Sequence, residues 1–144
     1  MKIVICGSVN FPEKMKEAEK YLVERGHEVV MPYGIKEYNI NTYEDAQRLK
    51  ERSDYIEMVK DELTTKHFDE IKNADAIIVV NQEKKGIPNY IGGATFAEMM
   101  FAFYHKKKIF LLNPIPTHDK MSIFHDEIKA IQPVVINGNL DMIK

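Results

Sequence analysis

Ala76-Ile77-Ile78-Val79-Val80, followed by Asn81-Gln82-Glu83-Lys84-Lys85-Gly86, is the stretch that decides the fold class. Its consecutive apolar, mostly β-branched residues lack the alternation of a half-solvated strand and are too few for a buried helix. They read as a strand covered on both faces, central in a parallel sheet, and the polar run after them as the loop that leaves it. Working outward, Lys2 to Cys6 repeats the pattern and stops at Gly7. His27 to Tyr33 carries Val29, Val30 and Met31, Ile109 to Leu112 is closed by Asn113-Pro114-Ile115-Pro116, and Val134 to Ile136 ends the series.

Helical periodicity fills the gaps. Residues 13–25 place Met15, Ala18, Tyr21 and Leu22 on one face and stop at Gly26. Residues 34–44 have no apolar period and read as a loop able to cover a site, while Thr42 and Asp45 match a capping box. From Asp45 to about Thr65, Leu49, Ile56, Val59 and Leu63 recur at helical spacing and predict one long amphipathic helix, with a short helix through Phe68 and Ile71 behind it. Residues 94–105 form an almost wholly apolar helix, and a last helix runs from about Ile123 to Ile131. Strands alternating with helices imply right-handed crossovers and helices on both faces. The expectation is a single-domain, doubly wound α/β fold, Rossmann or flavodoxin-like, with a mostly parallel sheet of about five strands. Ligands in such sheets bind beyond the strand C-termini, which singles out Gly7 to Phe11, Asn81 to Gly93 and Asn113 to Pro116.

Composition narrows the function. A chain of 144 residues, 44% hydrophobic and 29% charged, buries a core without staples. The net charge of -2 removes the electrostatic pull toward a nucleic-acid polymer or an anionic membrane. No apolar run approaches a membrane helix or a signal peptide, so a cytoplasmic protein is expected. The single cysteine, Cys6, sits in a strand and reads as a buried reduced thiol. No cofactor is expected. His105, His118 and His125 lack partners at zinc-like spacing, so no metal site is expected either.

Glu98 is the anomaly: it is the only Asp, Glu, Lys, Arg or His between Gly86 and His105. A carboxylate in so apolar a helix must be paired, hydrogen-bonded or turned into a cavity. Two readings compete. One is a partly desolvated nucleophile for an anomeric carbon, beside a helix N-terminus whose dipole favours the charge. In the other, Thr95 and Glu98 form a capping box, and the glutamate merely returns to the N-cap amide. Gly92-Gly93, which let a backbone approach a ligand just before the helix, favour the first.

The run Phe68 to Asn81, with Tyr90-Ile91-Gly92-Gly93-Ala94-Thr95-Phe96-Ala97-Glu98 and Lys108-Ile109-Phe110-Leu111-Leu112, resembles the nucleoside 2-deoxyribosyltransferase-like superfamily. Ile3-Val4-Ile5-Cys6-Gly7-Ser8 is similar to the first strand and loop of its deoxynucleoside monophosphate N-hydrolase branch. The resemblance implies cleavage or transfer at the N-glycosidic bond of a nucleoside or nucleoside 5′-monophosphate, Glu98 as nucleophile, and a homodimer or higher homo-oligomer. It also departs from the pattern. Gly92 stands where transferases carry a sugar-holding Asp, and His67 or Asp69 stands near the position of an Asp that exchanges a proton with the base. An imidazole could serve there, although a helix-surface histidine is the competing reading for His67. The segment is also similar to the Pro-Gly-Gly-x-Gly-Thr-x-x-Glu motif of cytokinin-activating phosphoribohydrolases, without its proline and with one residue missing.

Further candidates for substrate contact are Gly7, Ser8 and Asn10 after the first strand, Asn81 and Asn89 flanking the central loop, and Asn113. Ser8 and Asn10 could equally be turn residues. Lys84 and Lys85 could attract a phosphate or be ordinary solvated lysines, and Tyr33, Tyr38 or Tyr43 could stack on a base. A nucleotide-binding module without catalysis is the alternative function.

Overall fold

The computed structural model describes residues 1–144. Strands β1 (Lys2–Gly7), β2 (Glu28–Val30), β3 (Ala76–Val80), β4 (Lys108–Leu111) and β5 (Val134–Val135) form one sheet, ordered β2-β1-β3-β4-β5. Every pairing is parallel, with Val4 opposite both Val30 and Ile77 and with Ile78 opposite Phe110. This is the doubly wound, flavodoxin-like order, in which the chain turns back between β1 and β3 and opens a crevice there. No helix is long and apolar enough to cross a membrane.

Strand alternation sorts the core into two layers. Ile3, Ile5, Ile78 and Val80 face α1 (Pro12–Glu24), α2 (Tyr33–Glu37) and α3 (Tyr43–Lys50), where they meet Met15, Leu22, Ile35 and Leu49. Val4, Cys6, Ile77 and Val79 face the other way, toward Ile71 of α5 (Thr65–Lys72), Met99 and Ala102 of α6 (Gly93–Tyr104) and Ile128 of α7 (His125–Ala130). Cys6 is thereby directed at the seam between α5 and α6.

Three segments differ from the sequence expectations. Residues 34–37, expected to open a loop, belong to α2, which starts at Tyr33 and buries Gly34 and Ile35. The expected long helix is broken: α3 starts on the Thr42–Asp45 capping box but ends at Lys50, and Glu51 to Asp54 turn the chain, with Arg52 paired to Asp54. Ser53 and Asp54 offer the backbone local alternatives to helix continuation. The chain resumes as α4 (Tyr55–Met58), widens into a π-helix over Val59–Thr64 and tightens again into α5. That interruption rotates the buried stripe, so Ile56, expected in it, is 74% exposed while Met58 is buried. At the C-terminal end, residues 119–124 form a 3₁₀ turn ahead of α7 and leave Ile123 exposed.

Candidate functional site

The crevice at the β1–β3 switch holds a cavity of about 390 Å³. That is large enough for a drug-sized or nucleotide-sized ligand. The β1 loop (Gly7 to Val9), the end of α3 (Lys50), the π-helix (Val59, Leu63, Thr64), α5 (His67) and the start of α6 (Gly92 to Thr95, Glu98) all line it. Gly7 makes the first wall by necessity: its φ is +149°, and a Cβ there would lie 2.9 Å from the Val80 carbonyl oxygen. Gly92, the N-cap of α6, would crowd Tyr90 at 3.3 Å if substituted, whereas a Cβ on Gly93 would meet nothing within 4 Å. Gly93 therefore leaves open space beside the free amides of a twelve-residue helix.

Glu98 lies in the second turn of α6, and the capping-box reading is not what forms. The helix begins at Gly93 on a Gly92 N-cap without a side-chain cap, so Thr95 is already inside it. The Glu98 side chain is 14% exposed, lines the cavity, and has Oε2 3.2 Å from Nε2 of His67. The contact is electrostatic rather than directional, for Oε2 has no hydrogen-bond partner. His67 is not a surface histidine: its side chain is 5% exposed, and Nε2 also lies 3.5 Å from Cys6 Sγ. His67 shares its face of α5 with buried Ile71, one helical turn on. Its neighbour Phe68 stacks on Phe101, with ring centroids 4.6 Å apart, which pins α5 to α6 at this point. Burial, and next the Glu98 charge, push the Cys6 thiol well above its ordinary range and keep it protonated.

His67 Nδ1 is buried without a partner. An unpaired lone pair costs less than an unpaired N–H, so the hydrogen of a neutral ring belongs on Nε2, between Cys6 and Glu98.

Positive charge gathers at the cavity on two lysines that no carboxylate pairs with directly. Lys50 and Lys84 both line it; Lys50 donates to Asn10 Oδ1 at 2.7 Å, and Lys84 lies over the Tyr90 ring. Burial and the charges of Lys84 and Lys85 lower Lys50 from its ordinary pKa, and burial and Lys85 lower Lys84. An anion placed between them would relieve both effects.

Of the residues named from sequence, Gly7, Ser8, Gly92, Gly93, His67 and Glu98 share this cavity, with Lys84 and Tyr33. The others lie elsewhere. Asn10 is buried behind the wall, taking hydrogen bonds from Gln47 and Lys50, and so positions Lys50 rather than lining the space. Asn81 and Asn113 clamp the ends of β3 and β4 to each other through four hydrogen bonds that also take in Pro114. Asn89 adopts φ +55° in the loop before Gly92. Asp69 is exposed and lines a separate groove with Lys66 and Glu70. Lys85 is exposed in a turn, Tyr38 donates to Glu62, and Tyr43 packs on Phe11 at the outer edge. Sequence reading missed Lys50, Tyr55 and Tyr90; only their nearness to a helix end or to Gly92 hinted at them.

His105, His118 and His125 stay apart from one another: His105 packs on Phe101, His118 accepts from the Lys120 amide, and His125 bonds the Pro116 carbonyl. A different set converges instead. Cys6 Sγ, His67 Nε2 and a Glu98 oxygen all lie within 4.8 Å of one another. No family model matches the chain, and no curated protein matches it in sequence.

Proposed function

We propose that this chain cleaves or transfers the N-glycosidic bond of a nucleoside 5′-monophosphate, with Glu98 as nucleophile. One observation carries the reading. The only carboxylate of an apolar helix opens onto a cavity, has no main-chain partner, and touches an imidazole able to hold a proton. In the first step a Glu98 oxygen bonds to C1′, the C1′–N bond breaks, and the departing base takes a proton from the His67 imidazolium, which leaves the neutral ring. In the second, water or another base attacks C1′, the ester bond to Glu98 breaks, and the incoming nucleophile returns its proton to His67. Lys50 and Lys84 receive the 5′-phosphate, which favours the nucleotide over the free nucleoside. Tyr33, Tyr55 and Tyr90 supply flat walls for a base. Phe103 and Tyr104, exposed at the end of α6, are the surface on which a second copy would assemble.

Incubating the protein with nucleosides and nucleoside monophosphates, and resolving released base by chromatography, tests the reading. Base release by the wild type and none by Glu98→Gln is expected, and full turnover by that variant refutes the role of Glu98. Gly92, standing where a transferase-like site would hold an acid, favours one second reading: a nucleotide-binding module. It predicts a raised melting temperature with nucleotide and no base released on long incubation.

A further inference from the structure

We propose that Cys6, His67 and Glu98 form a binding site for one thiophilic divalent cation, Zn²⁺ by its donor chemistry, and that the bound cation silences the site by capturing Glu98. Tetrahedral zinc with bonds of about 2.0–2.3 Å places its donors roughly 3.3–3.6 Å apart. Here sulfur and imidazole nitrogen are 3.5 Å apart, and nitrogen and carboxylate oxygen 3.2 Å. One edge of the ligand triangle falls in this range and a second within about 0.1 Å of it. The third, sulfur to oxygen, is within 4.8 Å. Glu98 closes it by side-chain rotation, since no hydrogen bond holds Oε2.

Other features point the same way. His67 is more than nine-tenths buried with Nδ1 unpartnered, and Glu98 Oε2 has no hydrogen bond, so each carries a polar atom without a partner inside the protein. A cation would satisfy Oε2 and take the Nε2 lone pair, which moves the ring hydrogen to Nδ1. The three donors come from rigid elements, β1, α5 and α6. Glu98 and His67 line the cavity, which gives the ion an entry path and leaves a fourth coordination position for water. One thiolate, one imidazole and one carboxylate select zinc-like ions and disfavour Mg²⁺ and Ca²⁺, which demand oxygen ligands. Binding displaces the thiol proton to solvent and changes no oxidation state. The ion itself needs only the geometry; its inhibitory effect rests on the glycosidic reading of the preceding section.

The test uses the full chain after chelator treatment, titrated with Co²⁺ as an optical probe and then with Zn²⁺. Expected is a thiolate-to-cobalt absorption band in the near ultraviolet that saturates at about one equivalent and is displaced by Zn²⁺ but not by Mg²⁺. Cys6→Ser should remove the band and weaken Zn²⁺ binding at least tenfold. Glu98→Gln, at a cavity-lining position, should weaken it to a similar degree, with circular dichroism confirming that each variant is folded. Absence of the thiolate band in the wild type, or Zn²⁺ binding as tight in both variants as in the wild type, overturns the site. In parallel, Zn²⁺ should suppress base release with the same midpoint as its occupancy, and undiminished release at saturation overturns the inhibition. A metal-free wild type that binds Co²⁺ through sulfur yet releases no base sinks the glycosidic reading alone and leaves the cation site standing.

Discussion

The two faces of the sheet bury different chemistry. The layer against α1, α2 and α3 is a cluster of eighteen apolar residues, and the ion pairs around it, such as Lys36 with Glu19, lie at the rim. The layer against α5, α6 and α7 has thirteen, includes Cys6, and adjoins buried His67 and Glu98 with polar atoms that nothing satisfies. Native interiors seldom leave such atoms unpaired, and those that persist mark strain or function. One face is apolar throughout, and the other carries a carboxylate–imidazole pair with unpartnered atoms at the crevice.

The sharpest way to break this contrast is to exchange one residue on each face. Glu98→Gln keeps the shape and removes the proposed nucleophile. Turnover should fall by at least about a thousandfold, roughly 4 kcal/mol in the barrier, while the melting temperature holds or rises as an unpaired buried charge disappears. Steady-state kinetics beside calorimetry measures both. Ile78→Ala should do the opposite. Ile78 is fully buried in β3 against the α1 layer, and its truncation should cost about 2–5 kcal/mol in denaturant unfolding, with kcat little changed in the fraction that stays folded. A large stability loss in Glu98→Gln would dissolve the division.

Lys50 sharpens the comparison because it belongs to neither layer: α3 delivers it to the crevice across the edge of the first face. Lys50→Ala should lower kcat/KM for a nucleoside monophosphate by about 10- to 100-fold, or 1.4–2.7 kcal/mol, and leave the activity on the unphosphorylated nucleoside unchanged. Equal losses on both substrates would remove Lys50 from phosphate recognition and leave it a structural partner of Asn10.

The sheet was legible because each strand is an uninterrupted apolar run, and Glu98 because a lone charge in an apolar helix stands out. The failures share one cause: contacts between segments distant in sequence override local pattern. Asn10, Asn81 and Asn113 sit where a ligand loop is expected but spend their amides bracing it. His67 lies among charges that suggest an exposed helix, yet it shares a face with buried Ile71 four residues on, and the packing of α5 on α6 buries it. Lys50 looks like any surface lysine until the break at residues 51–54 makes it a helix end at the crevice.

The subtlest difference between the faces should surface at alkaline pH. Burial and the nearby Glu98 charge hold the Cys6 thiol above its ordinary pKa in the folded state, while the unfolded chain releases that proton near pH 8.5. A raised folded value means that the stability is complete below the unfolded pKa and declines as pH rises toward the folded one, since only the unfolded state sheds the proton. One pH unit above the ordinary thiol value, at about pH 9.5, the loss should be about 1.4 kcal/mol relative to neutral pH. Cys6→Ala removes the group and should flatten this part of the profile while retaining the decline owed to tyrosines, among them Tyr38, which Glu62 pushes up to about 12. Denaturant melts of both proteins at pH 7 and 9.5, with chelator present, measure the difference. Parallel profiles would mean that Cys6 reaches solvent easily enough to ionise in place, and the second face would then be as open as its rim.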